Sequence, residues 1–231
     1  MSISIRDSIR WLPNPASEPT STIVLTSPEH RFVDVRILKD INNDDLSGRL
    51  DWAFAGISSS ETRNGVRHCT WRHVVDGRTR TPEEVVDEGD IFPQDDGRTL
   101  ETGHMVNPDT GKMTDYEEIW RDLEPEGIPE DTDEQPRARC VVLELKDAER
   151  EQRGMVVCLG QHCQGVMRQG DSFAAERWQW INGEWRLKFR VGELWIPGPE
   201  HIYADVISSQ NKHIMGENML QKWDVVEMSY A

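Results

Sequence analysis

Read as a strand, the segment DYEEIWRD places Tyr116, Glu118 and Trp120 on one face, because strand side chains alternate with a period of two. Burial of a carboxyl between two aromatic side chains disfavours its charged form, which gives Glu118 the environment of a general acid or base. In NGVRHCTWRHVV the same alternation sets His68, Thr70 and Arg72 on one face and Cys69, Trp71 and His73 on the other. If the first face lines a barrel, His68 offers proton transfer near neutral pH. Arg72 there offers a fixed positive charge for a carboxylate, enolate or phenolate. Glu101 is a second carboxyl that could carry the proton. Trp52 and Phe54 share a face with Leu50 in LDWAFAG, and with Tyr116 and Trp120 they supply ring surface for a ligand.

Each segment also has an ordinary structural reading. Residues 66–75 fit a half-exposed strand with its cations in water, and the acidic DYEEIWRD fits a solvated edge strand. Core packing alone accounts for Leu50, Trp52 and Phe54. In MVVCLGQHCQG, Cys158, His162 and Cys163 are soft-metal ligand types, but a fourth ligand at recognisable spacing is missing. No metal site and no cofactor is therefore assigned.

The elements that must position these residues are strands. Period-two patterns recur at 32–38, 50–55, 66–75, 141–145, 155–159 and 222–229, separated by Gly, Pro, Asn and Asp. Short helices are expected at 81–87 and 208–218. The clearest hairpin joins FAAERWQWI to EWRLKFRV through Asn182-Gly183, a pair suited to a type I′ turn. Counting outward sets Trp180 opposite Trp185, Trp178 opposite Leu187, Arg177 opposite Lys188 and Glu176 opposite Phe189. Trp178, Trp180 and Trp185 are then expected to form one buried aromatic cluster. The acidic, Pro-containing stretch ending near Gln135 reads as a linker. The expected architecture is all-β (mainly β): two unequal lipocalin-like antiparallel β-barrel domains, residues 1–135 and 136–231, with a few short helices.

Composition narrows the function. The net charge of -16 repels phosphate backbones and no basic stripe offsets it, so nucleic acid is not an expected partner. The first twenty residues lack a signal-peptide core, no apolar run reaches membrane-spanning length, and no N-x-S/T acceptor occurs. Four cysteines are too few for a disulfide framework, so a cytoplasmic protein with reduced thiols is expected. A mean hydropathy of -0.66 is low, but nine Trp and five Phe supply large units for a core. Phosphate-loop, dinucleotide, nucleophile-elbow and zinc-protease signatures are all missing.

Five segments in order, DWAFAG, LETG, YEEIWRDLEP, GMVVCLGQHCQGVMRQGDSF and KWDVVEMSYA, resemble the fungal Hrr-interacting protein family across nearly the whole chain. The resemblance implies a calycin-type arrangement of two unequal β-barrels. It carries over no catalytic residues, since the yeast member is named for association with a casein kinase and linked to the secretory translocation machinery. The chain departs from the yeast pattern around 64–93 and in the Trp-rich hairpin.

These readings converge on a lipocalin-like barrel that binds a small hydrophobic or aromatic metabolite. Its enzymatic form is a cofactor-independent cyclase or isomerase of fungal secondary metabolism, with Glu118 or Glu101 moving the proton and His68 or Arg72 stabilising the oxyanion. A non-catalytic carrier, or an adaptor docking a basic protein through its acidic surface, are the alternatives.

Overall fold

A computed structural model describes residues 1–39, 49–129, 137–208, 212–216 and 220–230. Eight strands, β1 (Ser2–Trp11), β2 (Thr20–Thr26), β3 (Arg31–Leu38), β4 (Leu50–Arg63), β5 (Val66–Asp76), β6 (Glu88–Pro93), β7 (Thr99–Asn107) and β8 (Lys112–Leu123), pair in sequence order. β8 returns to β1, closing an antiparallel barrel. The remaining strands are β9 (Arg139–Asp147), β10 (Gln152–Leu159), β11 (His162–Gln169), β12 (Ser172–Ile181), β13 (Glu184–Val191), β14 (His213–Met215) and β15 (Lys222–Tyr230). They form a seven-stranded sheet in the order β13-β12-β11-β10-β9-β15-β14. The chain is thus mainly antiparallel β, as its alternation implies. Its second half is a sheet with β13 and β14 at the edges rather than a hydrogen-bonded ring. The boundary expected near Gln135 lies outside the described residues.

Among the described residues, helical structure is confined to short turns at Pro82–Glu84, Pro199–His201 and Ile202–Ser208. Within 208–218, expected as helix, residues 213–215 are instead strand β14, held by backbone pairing with β15; 209–211, 217 and 218 lie outside the described residues. No helix among the described residues is long and apolar enough to cross a membrane.

One core joins the two halves. The outward side chains of β2 to β4, among them Leu25, Val33, Val35 and Ala53, pack against Val142, Met155, Val157 and Val166 of the second sheet. Because these positions alternate with Thr22, Asp34, Arg36 and Phe54, the barrel's outer face is its apolar face and its inner face is polar and aromatic. Arg177 on β12 spans this seam. Its buried guanidinium donates to the Gln164 Oε1 (2.7 Å), to Ser21 Oγ (2.9 Å) and carbonyl (3.1 Å), and to the Val35 carbonyl. Burial pulls its pKa down to about 9.

The Asn182-Gly183 hairpin forms in the expected register near its turn, with Asn182 and Gly183 at φ 53° and 88°, Trp180 opposite Trp185 and Trp178 opposite Leu187. A bulge between Arg177 and Trp178 then shifts the pairing by one residue. Arg177 faces Phe189 and Glu176 faces Arg190, not Lys188 and Phe189. The tryptophans are correspondingly half-buried rather than enclosed, with Trp180 and Trp185 edge-on at 5.8 Å.

Arg177→Ala leaves buried acceptors on both sides of the seam without donors and opens a void between them. It is expected to lower the unfolding free energy by about 3 to 5 kcal/mol. Urea denaturation followed by tryptophan fluorescence measures this, and a midpoint equal to wild type would show that the seam does not depend on the guanidinium.

Candidate functional site

Inside the barrel lies a cavity of about 320 Å³. Its walls include the rings of Phe32, Phe54, Trp71 and Trp120 and the charged groups Asp34, Arg36, Glu101 and Glu118. Ser58, Ser59 and Ser60 of β4, with His30, belong to the same lining. Each inward residue follows from alternation: Ser2, Ser4 and Arg6 on β1, Phe32, Asp34 and Arg36 on β3, and Glu118, Trp120 and Asp122 on β8.

Ion pairs bind the inner wall together. Arg6, on β1, reaches Glu118 on β8 at 2.5 Å, Glu18 at 2.8 Å and the Thr20 hydroxyl at 2.9 Å. Arg36 grips Asp34 at 2.8 Å, lies 3.8 Å from Glu118, and packs over the Trp52 and Phe54 rings at 5.1 and 5.3 Å. Oδ1 of Asp34 and Nε1 of Trp120, atoms of two lining residues, are buried without a hydrogen-bond partner in the protein. Burial raises the Asp34 pKa, opposed by the charge of Arg36.

Glu101 accepts a 2.9 Å hydrogen bond from the Tyr116 hydroxyl. Gly103 makes that bond sterically accessible, since a Cβ there would fall on the Tyr116 hydroxyl where the ring crosses β7. Burial, followed by the nearby charges of Glu118 and Asp87, pushes the Glu101 pKa well above the ordinary carboxyl value. His73 closes off the base of this region. It meets Asp76 at 2.7 Å through Nδ1 and Asp87 at 3.0 Å through Nε2, with its ring stacked on Phe54 at 4.2 Å. Burial alone would lower its pKa, but hydrogen bonds to Asp76 and Asp87 and their charges raise it.

The sequence-selected residues divide sharply. Glu101, Glu118, Phe54 and Trp120 line the cavity. Trp52 lies behind Phe54 and donates its indole N–H to Asp76 at 3.2 Å, and Tyr116 serves Glu101 rather than the cavity wall. His68 and Arg72 are on the outer face. His68 is held by Asp90 (2.8 Å) and Glu88 (3.3 Å) of β6, and Arg72 is exposed, so neither reaches the lumen. The inward face of β5 is the other one, carrying Cys69, Trp71 and His73. Glu118 is buried as expected, but its environment is an ion pair with Arg6, not a purely aromatic one. Leu50 pairs with Ile37 across a register shift and packs outward, leaving the face of Trp52 and Phe54.

Asp34, Arg36 and Arg6 escaped the sequence reading because RFVDVRIL and SISIRDSI resemble strands with a solvated polar face. In the second half, Cys158 and Cys163 stand opposite each other as buried free thiols. Burial and the charge of Arg177 take the adjacent His162 down to about 4. Among the described residues no His, Cys, Asp and Glu cluster forms a metal site.

The model of the family described as Protein HRI1 matches residues 2–227, and the chain belongs to that family. A crystal structure of an uncharacterized protein from Saccharomyces cerevisiae superposes with a TM-score of 0.76 at 20% identity, covering 99% of this chain and 98% of that one; it shares the fold. No curated protein matches the chain.

The raised pKa of Glu101 has a definite linkage sign. A carboxyl whose folded pKa exceeds its unfolded one stabilises fully below the unfolded value and loses that contribution as pH rises through the folded one. Glu101→Gln mimics the protonated form. Its melting temperature relative to wild type is expected to rise between about pH 4.5 and pH 8. Paired thermal melts at the two pH values check this, and a constant difference would show that Glu101 titrates normally.

Proposed function

We propose that this member of the Protein HRI1 family binds a small ring-bearing organic molecule inside its amino-terminal barrel. The observation that carries the reading is the cavity itself, walled by the rings of Phe32, Phe54, Trp71 and Trp120 with the charged groups of Asp34, Arg36, Glu101 and Glu118 among them. The volume of about 320 Å³ suits a small metabolite, as do aromatic walls with a few convergent polar groups. A carrier of purely apolar molecules fits less well, because such a ligand would bury charged groups without satisfying them.

One observation favours a second reading, cofactor-independent acid catalysis of a cyclisation or isomerisation. Glu101 is a carboxyl on the cavity wall whose surroundings favour its protonated form. That is the state from which a general acid acts.

The test of binding is a fluorescence titration with N-phenyl-1-naphthylamine, an uncharged aromatic probe. We expect a Kd on the order of 1 to 100 μM. Ser60 shares the lumen wall with Cys69, its cross-strand partner. Ser60→Trp should fill part of the cavity and weaken the probe at least about tenfold. Equal binding to wild type and Ser60→Trp would place the probe elsewhere and sink the reading.

A further inference from the structure

We infer that Glu101 and Glu118 work as one acid–base pair on a ring-bearing ketone held in the lumen. Glu118 removes a proton from the carbon beside the carbonyl, and Glu101 donates a hydrogen bond to the carbonyl oxygen. The inference rests on the barrel being the binding site and on Glu101 acting in its protonated form; it adds the base and the substrate class.

The first observation is placement. Glu101 on β7 and Glu118 on β8 are direct cross-strand partners, and both line the cavity. Directly opposed residues of antiparallel strands have Cβ atoms about 4.5 to 5.5 Å apart. Two carboxyls so placed reach neighbouring atoms of one bound molecule, and the carbonyl oxygen and α-hydrogen of a ketone sit on adjacent carbons.

The second is that the two members are made unequal. Arg6 meets Oε1 of Glu118 at 2.5 Å and Arg36 lies 3.8 Å from the same oxygen, so two guanidinium groups face that carboxylate. Among the described residues Glu101 makes no ion pair, and its Oε1 accepts from the Tyr116 hydroxyl at 2.9 Å. Burial, then the charges of Glu118 and Asp87, favours a proton on Glu101, and with Oε1 engaged that proton belongs on Oε2. A carboxylate beside a carboxyl that keeps its proton is the division of labour of a base and an acid.

The third is access. Oε2 of Glu101 and Oε2 of Glu118 make no hydrogen bond, yet neither is among the fully enclosed unpartnered atoms, which in this lining are Asp34 Oδ1 and Trp120 Nε1. On inward-facing residues that line the cavity, the access is to the lumen.

The step balances without a co-reactant. The C–H electron pair becomes the carbon–carbon double bond of the enolate, the carbonyl π pair moves to oxygen beside the Glu101 O–H, and Glu118 holds the proton until it returns to carbon. A neutral ketone adds no charge to a wall of paired ions, and Phe32, Phe54, Trp71 and Trp120 supply surface for its ring.

The test is deuterium exchange at the α-carbons of 2-tetralone in D2O, followed by proton NMR with the full chain. Bound 2-tetralone should exchange at least about 100-fold faster than in buffer alone. Glu118→Gln should cost at least about 100-fold of this rate. Glu101→Leu, which removes the donor, should cost about 100-fold, whereas Glu101→Gln, whose amide still donates, should stay within about tenfold. Should a carboxyl variant fail to fold, excess N-phenyl-1-naphthylamine on the wild-type chain decides, since it should return exchange to the buffer rate. If 2-tetralone displaces that probe without exchanging, fails to bind where the probe binds, or exchanges equally in Glu118→Gln and Glu101→Leu, the acid–base pair is overturned and the lumen remains a binding site. If neither compound binds, the lumen reading falls with it.

Discussion

The apolar seam between the outer wall of the barrel and the second sheet is the constraint on which the rest of the molecule depends. Strand alternation allows each of β2, β3 and β4 one apolar face, and that face is spent outward, on Val33, Val35 and Ala53 against Val142, Met155 and Val157. Burial of this surface supplies the hydrophobic driving force without filling the barrel. The inner face is thereby released from core duty and can carry charge. A small barrel whose lumen supplied its only core would have to close that space with aliphatic side chains.

Releasing the lumen creates its own difficulty, since charges inside a barrel must still be satisfied. The solution is a set of ion pairs that cross strands distant in sequence. Arg6 ties the first strand to the last through Glu118, close to the register shift where β1 bends between Arg6 and Ser8. Barrel closure and lumen electrostatics are therefore one arrangement. The same shared wiring leaves Glu101 without a cation of its own, and burial, with the charges of Glu118 and Asp87 nearby, raises its pKa.

Much of the fold was legible in the sequence, because its signals are local. Period-two runs located strands, and Asn182-Gly183 fixed the pairing of Trp180 with Trp185. The bulge opposite the Arg177–Trp178 step was not legible, since nothing in EWRLKFRV marks Lys188 as an extra residue. For the site, alternation correctly separated the faces of β5 and β8 but could not say which faces inward. For β3 the pattern alone named no inward face, and the usual rule, polar outward, would point Asp34 and Arg36 away from the lumen that they line. It could not be otherwise from residues 31–38 alone. What inverts their faces is a sheet formed by residues from 139 onward, and only that long-range contact reveals it.

The order of the two halves along the chain carries a consequence for synthesis. The barrel strands end at Leu123 and emerge from the ribosome first, while the strands that cover them begin at Arg139. At about 5 to 20 residues per second, the outer row of Leu25, Val33, Val35 and Ala53 is without its cover for several seconds to tens of seconds. During that interval the nascent chain displays a sticky stripe to its neighbours in the polysome. The carboxy-terminal sheet thus acts as a late-arriving partner carried on the same polypeptide, and premature termination before residue 139 would yield an aggregating fragment rather than a free-standing barrel.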